Sequence, residues 1–285
     1  MIVINYVFAF FGLLIASYTD IKTREVPDWL NFSLMGLGFG VSAIYSLMFN
    51  SFNYLLSSII GFAVAFVLGY LMYYTGQWGG GDSKMLMALG ALIGIDIHAG
   101  FPVIITLLIN IMIVGAFYGL FWSMALAIIN RKKVKVRLKE KMVSKNILIM
   151  RRIIIAICII GIISFFFVPL LFKIPVLILV GSIFFIFYLW LMIKIVEEVA
   201  MEKYVPLTDL TEGDWVLEEV FVGKEKICSK KDLGLSNEQI AKLIKLKSKH
   251  KKSKIKIKVG IPFLPSFLIG FIALLIAGNW IGLLF

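Results

Sequence analysis

Long apolar runs separated by short polar breaks occupy most of the chain. Eight of these runs are candidates for membrane-crossing helices, because about 20 consecutive apolar residues suffice to cross the ~30 Å hydrocarbon core. The pattern therefore predicts an all-α polytopic membrane protein with about eight transmembrane helices. The runs lie at approximately 2–18, 29–49, 54–75, 83–97, 101–129, 152–172, 175–195 and 261–285.

Residues 197–260 break this pattern. The segment contains a predicted short hairpin around Gly223, a capping box that opens a helix at Ser236, and strict polar–apolar alternation over 254–259. These signals predict a small α+β insert before the last helix. The chain is accordingly divided into a core that carries the candidate acids, a basic loop with two further helices, the insert, and a C-terminal helix. The boundaries are 1–130, 131–196, 197–260 and 261–285.

Composition supports the membrane assignment. Hydrophobic residues make up 60% of the chain, charged residues 16%, and the mean hydropathy is +0.96, which excludes an ordinary soluble domain. Cys158 and Cys228 are too far apart and too few to indicate a disulfide framework or a metal site. Neither a metal nor a cofactor is predicted. The first run lacks a preceding basic segment and is interpreted as a helix of the mature protein.

The basic residues predict an orientation. Of the 29 Lys and Arg, ten fall in 131–152 and fourteen in 203–258. When all eight runs are threaded across the bilayer, Lys173 is the one basic residue on the opposite side. By the positive-inside rule the basic side is cytoplasmic, which puts the N-terminus outside. The Lys-rich run 242–258 is interpreted as a solvated face near anionic headgroups rather than a nucleic-acid site.

Small residues recur at every fourth position within several runs. This spacing lets helix backbones approach closely in lipid, so it predicts a tightly packed bundle and indicates no chemistry. The residues are Gly36 and Gly40; Gly61, Ala65 and Gly69; Gly90 and Gly94; and Gly115 and Gly119.

Candidate chemistry lies with the few acids near membrane depth. Asp20 ends the first run, and Asp82 opens the fourth directly after Gly79, Gly80 and Gly81. In the predicted topology both acids lie at the cytoplasmic edge, where their carboxyl groups can meet. Intramembrane or membrane-edge acids are costly, and this makes each a functional candidate.

Two carboxyl groups that share one proton can activate water against a peptide carbonyl, as in aspartic proteases. Glycines before Asp82 suit such a site, because they let an extended substrate backbone pass close to the acid and permit positive φ. An Asp at a helix start is also a common cap, so the Gly-Gly-Gly-Asp motif by itself is weak support for catalysis.

The residue pattern resembles the type IV prepilin peptidases, and especially their archaeal prepilin and preflagellin members. The resemblance is carried by Gly79-Gly80-Gly81-Asp82-Ser83-Lys84 together with the segment from Asp20 to Asp28 about sixty residues earlier, and it covers roughly 1–130. It implies that Asp20 and Asp82 are catalytic, and that the substrate is a precursor whose short basic leader is removed at the cytoplasmic membrane interface.

Several further expectations accompany this resemblance. Gly79, Gly80, Gly81, Glu25, Asp28 and Lys84 are candidates for substrate binding, with Glu25 and Asp28 facing basic leader residues and Lys84 acting on Asp82. The larger bacterial members carry CxxC motifs and methylate the trimmed pilin, but this chain has none, so methyl transfer is not expected. The tail from Leu210 to Trp215 and from Gly260 to Pro265 has no assigned chemistry.

Two alternatives remain open. Presenilins and signal peptide peptidases share GxGD, but they pair it with a Tyr-Asp motif and a Pro-Ala-Leu motif, which this sequence lacks. A cation-coupled transporter also uses membrane acids, although such sites usually lie near the midplane. The sequence predicts neither the preferred precursor nor an oligomeric state.

Overall fold

The computed structural model describes residues 2–96, 100–222, 225–229, 232, 234–246 and 254–283. Ten α-helices account for most of these residues, which confirms the predicted all-α membrane class. The helices are α1 Val3–Thr23, α2 Asp28–Met48, α3 Asn53–Tyr74, α4 Gly80–Ile93, α5 Val103–Ile129, α6 Arg131–Val143, α7 Lys145–Phe167, α8 Leu170–Val196, α9 Asn237–Leu246 and α10 Leu264–Ala277.

Seven helical segments in the described part of the chain are long and apolar enough to cross a membrane. They correspond to α1, α2, α3, α5, α7, α8 with its following turn, and α10 with its following turn. The predicted run at 83–97 instead forms α4, a helix of 14 residues. At 1.5 Å per residue this helix covers only about 21 Å of the ~30 Å hydrocarbon core.

The contacts divide the chain into two compact units: Met1–Phe121 with Val205–Phe285, and Trp122–Tyr204. In the first unit, α4 packs against α1, α2 and α3, while α10 packs against α1. Eight of the 14 residues of α4 are buried. Because α4 is short and packs among longer helices, hydropathy alone did not predict its ends.

Close packing of α3 on α4 depends on small residues, as the spacing predicted. A Cβ on Gly61 would lie 2.3 Å from the carbonyl oxygen of Gly90, and a Cβ on Gly90 would lie 2.4 Å from the Cβ of Ala65. The prediction is wrong for Gly119 and for Gly36 and Gly40, where nothing described lies within 4 Å of an added Cβ. Gly38, between them, instead contacts the backbone of Ala91 in α4.

The second unit contains α6, α7 and α8. The segment 131–145, predicted as a basic loop, is helical through α6, because Lys, Arg and Glu favour helix and place charges on neighbouring turns. Arg137 bonds Glu140 at 2.9 Å, and Arg137 and Lys141 both bond Glu198, at 2.9 and 2.6 Å.

The insert forms a small α+β unit, as predicted. Its strands are β1 Glu202–Pro206, β2 Trp215–Val216, β3 Val220–Val222, β4 Glu225–Cys228 and β5 Lys254–Lys258. One sheet has the order β1-β5-β2, and β3 pairs antiparallel with β4 in the other.

The predicted details of the insert are largely confirmed. Ser236 and Gln239 form the capping box of α9, and Ile255 and Ile257 are buried on one face of β5. The hairpin is shorter than predicted, because Trp215 pairs with β5. Its turn at Gly223 and the middle of the Lys-rich run, 247–253, lie outside the described residues.

Candidate active site

Asp20 is placed by the buried stripe of α1. Ala9, Leu13, Ala16, Ser17 and Asp20 recur at helical spacing and are all buried, Asp20 to 7% exposure. The helix continues one turn beyond Asp20 to Thr23, so the acid does not end the helix as the sequence suggested. Arg24 closes the helix in the left-handed region, with its N–H donating to the Asp20 carbonyl.

The Asp20 carboxyl group contacts a distant part of the chain. Its Oδ2 accepts a buried hydrogen bond of 2.9 Å from the backbone N–H of Leu264, the first residue of α10. Asp20 therefore caps α10 from another helix.

Asp82 lies in the first turn of α4. Its Oδ2 accepts a hydrogen bond of 3.0 Å from the backbone N–H of Gly79, the residue that precedes the helix. Burial, followed by the negative charge of Asp20, raises the pKa of Asp82 to about 7. The helices α1 and α4 pack together, and the two carboxyl groups lie close enough to interact electrostatically.

Of the two reasons predicted for the three glycines before Asp82, the need for a positive φ is wrong. None of Gly79, Gly80 and Gly81 has a positive φ, so the loop does not need glycine for its backbone conformation. A Cβ on Gly81 would instead lie 3.2 Å from the Val26 side chain, and one on Gly79 would lie 3.4 Å from Asp82 Oδ2. These glycines leave room around the acid.

Asp28 and Lys84 pair with each other. Lys84 Nζ lies 2.6 Å from Asp28 Oδ1, and the ammonium also lies 5.7 Å above the Phe32 ring. Glu25 is exposed in the connection between α1 and α2. The sequence did not predict the ion pair, which joins two of its substrate-binding candidates.

A set of buried polar atoms on α1, α2 and α4, the helices that carry the acids or pack against α4, was not singled out from the sequence. Ser17 Oγ, Ser83 Oγ and both amide atoms of Asn31 have no hydrogen-bond partner among the described residues. Asn31 lies in α2 between Asp28, which pairs with Lys84, and Gly38, which lies against Ala91. The part of α2 that contains Asn31 therefore runs alongside α4. Ser17 lies one turn before Asp20, and Ser83 follows Asp82.

Aromatic packing connects the same region to α10. The buried Trp78, which directly precedes Gly79, has its ring centroid 5.1 Å from that of Phe267 and 6.0 Å from that of Phe263. Two prolines flank Phe263 and Leu264 in the sequence. These prolines were the available sequence signal for a fixed turn beside the acids.

The helical bundle and the acid pair define the class: this is a multi-pass membrane protein in which two aspartates interact where α1 packs against α4. Residues 7–120 match the sequence model of the Type IV leader peptidase family. The matched segment contains both Asp20 and Asp82, so the part of the chain that carries the acid pair is similar to this family.

Individual relatives agree with the family match. The chain is 37% identical over 131 residues to a preflagellin peptidase of Methanocaldococcus jannaschii, covering 44% of this chain and 56% of that protein. It is 40% identical over 92 residues to a preflagellin peptidase of Methanococcus maripaludis, covering 32% and 39%. It is 33% identical over 96 residues to the prepilin peptidase EppA of Methanothermobacter thermautotrophicus, covering 33% and 25%. The match thus spans about half or less of each relative.

Proposed function

We propose that this protein is a membrane aspartyl endopeptidase that removes the short basic leader of type IV prepilin-like or preflagellin precursors. The observation that carries the proposal is the meeting of Asp20 and Asp82 inside the segment that matches the leader peptidase family. The names of the relatives supply the substrate class.

The proposed reaction uses one water and one shared proton. The ionised Asp20 takes a proton from water as the water oxygen attacks the scissile carbonyl carbon, while protonated Asp82 gives its proton to the carbonyl oxygen. A proton then passes to the amide nitrogen, the C–N bond breaks, and a carboxylic acid and an amine leave. A pKa of about 7 lets Asp82 hold its proton near neutral pH.

The water has suitable neighbours in this proposal. A buried water typically makes about three hydrogen bonds to polar groups that would otherwise be unsatisfied. Ser17 Oγ, Ser83 Oγ and the Asn31 amide are such groups on the three helices around the acids. We assign them to holding water beside the acid pair.

Substrate binding follows from charge and space. Glu25 and Asp28 are exposed carboxylates in and just after the connection that follows Asp20, where they would attract the Lys or Arg of a leader. Gly79, Gly80 and Gly81 leave room beside Asp82 for an extended peptide. Lys84 competes with the leader for Asp28 through their ion pair.

Cleavage is proposed at the cytoplasmic face of the cell membrane, with the N-terminus outside. The support is the concentration of Lys and Arg in 131–152 and 203–258, which share one side of the membrane only if the 14-residue α4 also crosses it within the bundle. In a chain lacking Cys158 and Cys228, single cysteines at positions 24, 79 and 140 should react with an impermeant thiol reagent only from the cytoplasmic side. Cysteines at 51 and 173 should react from outside. Labelling of 24 and 79 from opposite faces would separate the two acids and reject the site.

The position of the acids favours this reaction over the two alternatives. Asp20 lies one turn from the end of α1 and Asp82 in the first turn of α4. An interfacial location suits a leader junction, whereas intramembrane proteolysis and ion-coupled transport need acids deeper in the bilayer. Methyl transfer is not part of the proposal, because the chain contains no CxxC motif.

The test is cleavage by the purified full chain in detergent. Incubation with a prepilin or a preflagellin should release the leader, and Asp20→Asn or Asp82→Asn should each abolish release. Asp96→Asn serves as a control that removes a carboxylate away from the pair and should retain activity. Substantial cleavage by either purified, folded variant of the pair would reject the two-aspartate mechanism.

A further inference from the structure

The start of α10 lies far along the chain from the segment that matches the leader peptidase family, yet it reaches the acid pair. The family match ends at residue 120, whereas α10 begins at Leu264. The residues from Leu264 to Phe267 are all buried. A buried helix start must find partners for its free N–H groups within the protein.

The backbone donors of this first turn can be assigned one by one. Leu264 N–H donates to Asp20 Oδ2 at 2.9 Å, Pro265 has no N–H, and Ser266 N–H donates to the Phe263 carbonyl at 2.9 Å. Proline in the first turn of a helix costs little, because its missing N–H would have no intrahelical partner. The Leu264 N–H is therefore directed at Asp20, at the positive end of the helix dipole.

Side chains of the same segment contact the other half of the pair. Phe263 and Phe267 pack on Trp78, which is followed immediately by Gly79, the backbone donor to Asp82. Phe263 also fills the space left by Gly115 of α5, where an added Cβ would lie 2.5 Å from the ring. One short segment thus contacts Asp20 directly and the loop of Asp82 through Trp78.

Both ends of α10 are fixed. Beyond its C-terminus, Asn279 bonds the side chain of Thr106 and the Phe101 carbonyl, and Trp280 Nε1 donates to Asn110 Oδ1 at 3.0 Å. A helix held at both ends can place a backbone donor reproducibly.

We propose that the start of α10, Phe263–Phe267, is a positioning element of the acid pair, in which Leu264 N–H holds Asp20 as the ionised, water-activating member. The inference rests on the proposed function. A backbone donor to a carboxylate favours its charged form, and with Oδ2 occupied, Oδ1 is the oxygen left for the attacking water. Asp82 also accepts one backbone hydrogen bond, from Gly79, but burial and the charge of Asp20 raise its pKa to about 7, so the shared proton resides on Asp82.

A purely structural role, in which Asp20 only caps α10, makes different predictions. A structural cap contributes to stability, and its loss reduces the amount of folded enzyme without changing the pH dependence of turnover. A positioning role changes that pH dependence, because turnover requires an ionised Asp20.

The decisive variant replaces Leu264 with its α-hydroxy analogue, which converts the N–H into an ester oxygen and keeps the side chain. We expect kcat for leader removal to fall about ten-fold or more, KM to change less than two-fold, and the acid limb of the pH–kcat profile to move to higher pH. The same replacement at Leu268, within α10, is the matched control and should leave the profile in place. Leu264→Ala, which keeps the N–H, should lower stability without moving the profile.

The contact itself is tested without activity. Thermal unfolding midpoints are measured for Asp20→Ala, for the ester at 264 and for both together, and a shared hydrogen bond makes their effects non-additive. Additive effects, or an ester variant with an unmoved pH profile in an enzyme that cleaves, would overturn the positioning role alone. Failure of the unsubstituted chain to cleave any precursor would reject the proposed function itself.

Discussion

Lys84 Nζ lies 2.6 Å from Asp28 Oδ1. This ion pair joins the first turn of α4, where Lys84 is two residues after Asp82, to the first residue of α2. Their side chains are 37% and 59% exposed. A pair in such contact with water contributes at most about 1 kcal/mol. That is weak enough for a basic leader residue to displace Lys84.

Lys84→Met should therefore lower KM for a precursor with a basic leader, by up to about five-fold, because it frees Asp28. Asp28→Asn should raise KM by a similar factor, with little change in kcat. Steady-state cleavage kinetics on the purified variants measure both effects. A precursor whose leader Lys and Arg are replaced by Gln is the control, and the variants should not change its KM. A fall in kcat with KM unaltered would contradict leader binding by Asp28.

The difference in stability between the unsubstituted chain and Asp82→Asn should depend on pH. Its pKa is raised from 3.8 to about 7 in the folded protein, so the folded state holds the proton more tightly than the unfolded state. The unsubstituted chain accordingly loses stability as pH rises from about 4 to 7, whereas Asp82→Asn has no proton to lose. The variant should match the unsubstituted chain near pH 4 and exceed it at pH 8 by up to about 4 kcal/mol, at 1.36 kcal/mol per pKa unit.

Thermal unfolding in detergent at several pH values measures this difference. Ser83→Ala, which alters the neighbouring residue without removing a titratable group, controls for effects of pH on the detergent. A stability difference for Asp82→Asn that stays constant from pH 4 to 8 would show that Asp82 ionises normally in the folded state.

Gly115 and Gly119 of α5 form a matched pair for testing the support of the acid site. A Cβ on Gly115 would collide with Phe263, whereas nothing described lies within 4 Å of one on Gly119. Gly115→Val should displace Phe263 and cost roughly 1–3 kcal/mol of stability from overpacking, with a fall in cleavage. Gly119→Val should leave both nearly unchanged. Equal effects of the two variants on activity would show that the position of Phe263 does not matter for the acid site.

A substitution at Asn31 tests the proposed binding of water separately from the stability of the fold. The residue is fully buried, and neither amide atom has a partner among the described residues. Replacing a buried amide and its proposed water contact by an apolar side chain of similar size can be nearly neutral, so Asn31→Leu should change the unfolding midpoint little. If the amide holds water for the acids, kcat should nevertheless fall about ten-fold, on the scale of a lost hydrogen bond to a charged group. Ser42→Ala, at a buried polar position further along α2, should retain normal turnover.

The sequence predicted those features that depend on local periodicity. Apolar runs located the long helices, alternation located β5, and the positions of Asp20 and Asp82 at the ends of two runs anticipated their meeting. Charge misled the prediction at 131–145, because a highly basic segment has no apolar stripe even when it is helical. The short α4 was extended to 83–97, because hydropathy does not report where a buried helix ends.

The contact between Leu264 and Asp20 was beyond prediction for a physical reason. The donor is a backbone N–H, which every residue except proline carries. The residue type at position 264 therefore does not indicate which group its N–H bonds. The partners are also 244 positions apart. Likewise, the sequence allowed a requirement for positive φ at the glycines before Asp82, but none of them has one. An added side chain on Gly81 would instead meet Val26.

The separation of Asp20 from Leu264 bears on biogenesis. A ribosome makes Asp20 244 residues before it makes Leu264, so helices α1 to α8 are all made while the carboxyl group still lacks this donor. Maturation of the acid pair thus waits for the last helix to join the bundle. Newly made chains would pass through a stage in which both aspartates are present but Asp20 still lacks the backbone donor that α10 supplies.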